Sequence, residues 1–211
     1  MKKVGYAEKL AKETLADFEE RAMARKPFES QWQLNMNFYM GNQYSDVGFG
    51  GQVREVDKQY FWQEREIFNH IAPIVDIRLS KLSKIKPKIT VFPATSEEVD
   101  VYSAKVGKRV LESVSSKMNF ASKINQALKW SEICGTSFYK ISWNADLGQI
   151  VALEDNGKKI KSGEVDISVC SPFEIYPDSA THENLVDCQS IIHAKAYTVQ
   201  QIKQMYVMDN V

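Results

Sequence analysis

The stretch "GEVDISVCSPFEIYPDSA" (residues 163–180) decides the fold. Its first half alternates Val165, Ile167 and Val169 with Asp166 and Ser168, the period of two that marks a strand with one apolar face. It then meets Pro172 and Pro177. Proline has no N–H to give a ladder, so the strand must stop at Pro172. Ile175, between the two prolines, plugs back toward the sheet. Asp178 follows Pro177, where a short acceptor side chain accepts backbone N–H bonds in its own turn. Pro172, Pro177 and Asp178 are therefore expected to be the posts of a structural turn.

Upstream of this corner the period is already two. Tyr139, Ile141 and Trp143 alternate with Phe138, Lys140 and Ser142 after Gly135, "NADLG" turns that strand, and Asn156-Gly157 carries a type I′ hairpin signature. Downstream, a last strand runs over 189–196, and Thr198 caps a helix over 198–206. A mainly antiparallel sheet over 136–196 is the expectation.

Before Gly135 the period is 3.6. Tyr6, Leu10, Phe18 and Ala22 share one helical face, with Asp17 and Arg21 paired on the wet side. Pro27 opens a second, aromatic helix bearing Phe28, Trp32, Met36 and Tyr39 that Gly41 ends, so residues 3–44 read as an αα-hairpin arm. "NQYSDVGFGGQVREVDK" (residues 42–58) has three glycines and no period, and reads as a long mobile loop. Helices follow over 69–86, capped by Asn69 and ended by Pro87, then over 96–119 and 121–134, with "KITVFPAT" a short strand between the first two. Helices first and an antiparallel sheet second make an α+β fold, divided into an arm and loop (1–63) and a larger α+β region (64–211).

Composition narrows the function. The 27 basic and 27 acidic side chains cancel, so the chain as a whole lacks the positive field of a tight, sequence-independent DNA binder. No stretch is long and apolar enough to span a membrane, and the lysine-rich start has no signal-peptide core, which points to a cytosolic protein without a membrane partner. Cys134, Cys170 and Cys188 are odd in number and unevenly spaced, which fits neither a disulfide framework nor a zinc knuckle.

Each chemical candidate has a plainer competitor. "GFGG" (48–51) follows no strand and precedes no helix, so it reads as a flexible loop rather than a phosphate cradle. His182, Cys188 and His193 match no zinc spacing and lack a fourth ligand. Asp166, Glu174 and Asp178 are the carboxylates a magnesium-dependent nuclease or a glycosidase would gather, but Asp166 points outward from its strand and Asp178 belongs to a turn. Arg78, Lys81, Lys84, Lys86 and Lys88 put five cations within eleven residues, a possible polyanion edge that is also what a helix C-terminus favours. No nucleophile motif occurs, and no metal, cofactor or catalytic residue is expected. Trp32, Tyr39, Tyr44, Tyr60, Phe61 and Trp62 read as core or subunit-interface aromatics.

The order of four segments carries more than any of them alone. "WQLNMNFYMGNQY" (32–44), "REIFNHIAPIVDIRLSKLSKIKPKITVFPAT" (65–95), "ALKWSEICGTSFYKISWN" (127–144) and the corner stretch resemble the N-terminal half of a tailed-bacteriophage portal protein. The family's "G-x-Q-aromatic" is Gly41, Gln43 and Tyr44, where tryptophan is more usual. Its "N-x-I" is Asn69 and Ile71, and its "kP-x-I-x-V-x-P" is Lys86, Pro87, Ile89, Val91 and Pro93. Gly135, Lys140, Ile141 and Trp143 match "G…K-I-x-W". Val169, Pro172, Ile175 and Asp178 match "V-x-P-x-x-I-x-x-D", with one extra residue between the first two.

The resemblance covers about residues 28–206 and implies a structural, non-enzymatic subunit in the virion, assembled in the host cytoplasm. In that family subunits close into a ring, twelvefold in virions, at one capsid vertex, and double-stranded DNA passes through it during packaging and ejection. Terminase large subunit, head-completion or adaptor proteins, and scaffold or major capsid protein are the implied partners. The matched region corresponds to the wing, so stem, clip and crown are expected to be missing from this sequence. The rival readings are the carboxylate enzyme above and another virion adaptor module using the basic edge.

Overall fold

The computed structural model describes residues 2–60, 62–85, 89–153, 159–179 and 184–206. It is an α+β fold whose elements run α1 (Lys2–Met40), β1 (Ser45–Val47), β2 (Val53–Glu55), α2 (Ile71–Leu82), α3 (Glu98–Lys117) and α4 (Phe120–Cys134). These are followed by β3 (Phe138–Asn144), β4 (Ile150–Leu153), β5 (Lys159–Lys161), β6 (Glu164–Cys170), β7 (Ile175–Pro177), β8 (Ile191–His193) and α5 (Val199–Tyr206).

The arm is not a hairpin of two helices. α1 runs unbroken for 39 residues with Pro27 inside it. Proline in a helix interior costs about 3 kcal/mol through its missing N–H and ring clash, and anchors on both sides of Pro27 outweigh that. Arg21 and Arg25 precede it and reach the distant corner; Ser30 and Asn35 follow it and bind other elements. Ser30 Oγ donates to the Gly51 carbonyl, and Asn35 Nδ2 donates to the Ile133 carbonyl at 2.9 Å. Arg21, expected on the wet face, is also corrected. Its side chain is largely buried, and besides pairing with Asp17 it donates to the carbonyls of Tyr176 (3.2 Å) and Ser190 (3.0 Å).

Arg25 carries most of the docking. A 3-10 turn over Pro172–Glu174 lets the chain leave β6 and enter β7, so its carbonyls face inward without a ladder. The Arg25 guanidinium donates to Pro172 O at 3.1 Å, Phe173 O at 3.0 Å and Ile175 O, while Glu29 one turn on neutralises it. Its Cζ also lies 3.4 Å from the Tyr176 ring centroid. Phe18 meets Tyr176 edge-on at 4.7 Å, and Trp32 and Trp130 meet Phe173 at 5.4 and 6.3 Å. Five fixed N–H donors and a flat cationic face let arginine satisfy this many acceptors at once, which lysine cannot do.

The 42–58 segment is not a mobile loop. β1 and β2 pair antiparallel with Ser45 opposite Glu55, and the turn between them closes through Gly48 N–H to Gln52 O at 2.9 Å. The hairpin rests on α1 through Ser30. Asn69 joins α1 to α2: its Nδ2 donates to Tyr39 O at 2.9 Å, and its Oδ1 accepts from the amides of Ile71 and Ala72 at 3.1 and 3.2 Å. Gly41, in left-handed backbone with φ of 98°, places its missing Cβ 3.4 Å from that amide nitrogen.

α3 begins at Glu98 rather than at 96, after Thr95 accepts the Glu97 N–H, and ends at Lys117. α4 closes on left-handed Gly135, as expected. Residues 89–93 of the expected "KITVFPAT" strand pair with nothing among the described residues. Alternation without an adjacent edge makes no ladder, and Pro93 withholds a donor. Lys86, Pro87 and Lys88 lie outside the described residues, as do Phe61, His182 and the Asn156-Gly157 turn.

The single sheet expected over 136–196 is divided. β3 pairs with β6, β4 with β5 and β7 with β8, all antiparallel, each a separate two-stranded ladder. The β4–β5 hairpin is inserted between β3 and β6, and the corner turns the chain out of the β6 plane before β7 forms. Gly163 has φ of +72°, and a Cβ there would lie 2.5 Å from the Trp143 ring, so the turn into β6 requires glycine.

Removing the Arg25 head should unlock the molecule. Arg25→Ala leaves three inward carbonyls and the Glu29 carboxylate without their cation, and a cost of about 3–5 kcal/mol is expected. Urea denaturation followed by tryptophan fluorescence measures it. A loss below about 1 kcal/mol, the range of an exposed ion pair, would show that the clamp is incidental.

Candidate functional site

The corner, expected to be a structural turn, has the geometry of a joint. Ser171 Oγ accepts the Phe173 N–H and starts the 3-10 turn. Pro172 and Ile175 are buried, the latter 8% exposed as the plug expected of it. Asp178 does accept a backbone N–H, but across a longer span than its own turn. Its Oδ2 takes the Gln189 amide at 2.7 Å and its own amide reaches Ser190 O at 3.2 Å, which ties Asp178 to the residues just before β8.

The three acids do not form one catalytic group. Asp166 lies on β6 opposite Ser142, Glu174 ends the 3-10 turn beside His193, and Asp178 is tied to Gln189. Beside the corner lies a pocket of about 410 Å³ lined mostly by apolar groups, among them Phe28, Trp32, Phe138 and Leu185. Its ionisable groups are Arg25, engaged with carbonyls, and Cys134, whose thiol burial pushes up to about 11. A neutral thiol and a committed guanidinium provide neither nucleophile nor base near neutral pH.

The basic edge is thinner than the sequence implied. Arg78 is bidentate to Glu132 at 2.8 and 3.2 Å, binding α2 to α4. Lys81 and Lys84 are exposed near the end of α2. Lys86 and Lys88 fall outside the described residues. Of the aromatics, Trp32 is in the corner core, Tyr39 donates to Asp76 at 2.9 Å, Tyr44 lies under Arg65 with Cζ 4.5 Å from its centroid, and Tyr60 stacks on Trp62 at 4.9 Å.

Two features were not anticipated. One is a meeting of Cys170, Glu174 and His193 at the corner's outer edge. Only the i, i+4 spacing of Cys170 and Glu174 hinted at it, because His193 arrives through the β7–β8 register that sets it opposite Ile175. The other is the bare apolar face of the β3–β6 ladder. Tyr139, Ile141 and Trp143 stand opposite Val169, Ile167 and Val165, yet Ile141 and Trp143 remain 70% and 66% exposed. The alternation was visible in the sequence; that it would face outward was not.

No family model, curated protein or solved structure matches the chain.

Asp178→Ala should therefore cost stability, about 1 kcal/mol for one lost cap-like contact, with Asp178→Asn retaining part of it through its remaining oxygen. Thermal unfolding of both variants measures this. Equal destabilisation by the two would mean that the Gln189 contact does not matter.

Proposed function

We propose that the chain is a structural subunit of a self-assembling ring, the portal of a tailed bacteriophage, set at one capsid vertex as the conduit for double-stranded DNA. The observation that carries this reading is surface. The chain exposes 16791 Å², whereas a compact monomer of 24.1 kDa exposes about 10,000 Å². The excess of roughly 7,000 Å² is more than one obligate interface covers, since such interfaces bury about 2,000–5,000 Å² over both partners. A ring subunit has two neighbours and further docking faces, which accounts for a surface of that extent.

The bare faces have the right chemistry. Ile141 and Trp143 on the sheet, Val99, Tyr102 and Val110 on α3, and Ile89 and Phe92 before it are large apolar groups left exposed. The first part of α1, residues 5–16, is exposed throughout and carries Tyr6 and Leu10. Large apolar groups left exposed in such number suit interaction surfaces. The residues that carry the portal resemblance also share a mechanical role. Gly41 and Asn69 join α1 to α2, Gly135 ends α4 before β3, and Pro172, Ile175 and Asp178 form the corner. They hold elements at fixed angles, which suits a ring that must resist the force of DNA packaging. The balance of 27 cations and 27 anions suits DNA that slides past without being gripped. On this reading the terminase, head-completion proteins and scaffold or capsid protein are the further partners.

Mass photometry and negative-stain microscopy of the full-length gene product test the proposal. Closed rings are expected, with Ile141→Glu shifting the population to single subunits while changing subunit stability by less than about 0.5 kcal/mol, as for an exposed site. A full-length product that stays monomeric at all concentrations sinks it. Duplex-DNA binding separates the conduit from the adaptor reading. A conduit wall should show little retention at physiological salt. Strong salt-sensitive binding, lost in Lys81→Ala with Lys84→Ala, would favour an adaptor with a DNA-contacting edge.

A further inference from the structure

Where β6 ends, three donor atoms of different character come together. Cys170 Sγ is buried at the last residue of β6, Glu174 offers a carboxylate oxygen at the end of the 3-10 turn, and His193 offers a ring nitrogen from β8, all within 4.8 Å of one another. The backbone fixes each of them. Cys170 is held in register opposite Phe138, Glu174 has its carbonyl bonded by the Ala194 amide at 2.9 Å, and His193 lies opposite Ile175. Two segments separated in sequence, 170–174 and β8, thus bring a thiol, a carboxylate and an imidazole together.

We propose that Cys170, Glu174 and His193 form a binding site for a zinc-class divalent transition metal, with a fourth position open to water or another ligand. The donor set selects the metal. Sulfur with imidazole suits zinc or cobalt, whereas calcium and magnesium want oxygen throughout. Zinc bonds of about 2.0–2.3 Å hold tetrahedral ligands about 3.3–3.6 Å apart where one of them is sulfur, so donors within 4.8 Å of one another close in by at most about 1.5 Å. The chain supplies the other ligands' charge, since the thiolate and the carboxylate together neutralise a divalent ion.

Lys140 is the counterweight. From β3 its Nζ lies 3.3 Å from His193 Nδ1, while Glu174 Oε2 lies 3.3 Å from His193 Nε2. A neutral imidazole with its proton on Nε2 satisfies both neighbours: Nδ1 accepts from the ammonium and Nε2 donates to the carboxylate. When Nε2 takes a metal, its proton moves to Nδ1, Lys140 loses its acceptor and swings into solvent, and the Cys170 proton leaves to bulk water. Lys195 and Ser168 also face the thiol. Lys140 therefore opposes the metal both by charge and by its hydrogen bond, and it sets how tightly the site binds. This inference does not depend on the portal reading.

Cobalt(II) as the probe gives a direct test, because a cobalt–thiolate bond has a charge-transfer band in the near ultraviolet. One equivalent of cobalt should produce that band and a tetrahedral visible spectrum, and zinc should displace it. Cys170→Ser should abolish the band, His193→Gln should weaken binding at least tenfold, and Lys140→Met should tighten it severalfold. Circular dichroism of each variant without metal shows whether the fold is kept. If Cys170→Ser does not fold, cyanylation mapping of wild-type protein decides the matter, with zinc protecting Cys170 and leaving Cys188 reactive. No stoichiometric band in the wild type, or a band that survives in folded Cys170→Ser, overturns the proposal, as does unchanged reactivity of Cys170 with zinc.

Discussion

The structure depends on a buried guanidinium that holds the backbone of a corner. The 3-10 turn between β6 and β7 turns the carbonyls of Pro172, Phe173 and Ile175 away from any ladder, and an inward carbonyl without a donor costs on the order of 1–3 kcal/mol. Arg25 satisfies all three and Glu29 balances its charge, while Arg21 adds a further donor to the carbonyls of Tyr176 and Ser190. Two arginines a helical turn apart therefore fasten the middle of α1 to strands about 150 residues later. The aromatic rings of Phe18, Trp32, Trp130, Phe173 and Tyr176 fill the space around that clamp.

What remains after the clamp is an open molecule. Ala104, Ala127, Ile133, Cys134, Cys170 and Ile175 are the buried hydrophobics among the described residues, small groups for a chain of this length. Its stability rests on joints: Arg25 at the corner, Asn69 between α1 and α2, Arg78 with Glu132 between α2 and α4, and Ser30 under the β1–β2 hairpin. Such joints set angles between elements and leave apolar groups on several of them bare.

What could be read in the sequence was local. Asn69 as a cap, Gly135 as a stop, the alternation of β3 and β6, and the break at Pro172 each follow from a few neighbouring side chains, and each stands in the structure. What could not be read depended on distant contacts. Pro27 looks like a helix boundary until Arg25, Ser30 and Asn35 are seen to be anchored on both sides of it. The 42–58 segment looks like a loop because Ser45 gains its order from pairing with Glu55, and Gly48 and Gly51 from each other and from Ser30. The sheet looked continuous because alternation gives a strand's faces without naming its partner. Cys170, Glu174 and His193 became neighbours only through the β7–β8 register, and the ordered motifs that resemble a portal suggested joints without revealing that Arg21 and Arg25 close the largest of them.

The claim that α1 and the C-terminal strands form one cooperative unit is tested most directly by native-state amide hydrogen exchange at increasing denaturant. The clamp predicts that amides of α1 near Arg25 and amides of β7 and β8, such as those of Tyr176 and Ile192, open together with the same free energy and the same denaturant dependence. If α1 opened in a separate, lower-energy step while β7 and β8 stayed protected, the corner would hold itself and the account built on Arg25 would be contradicted.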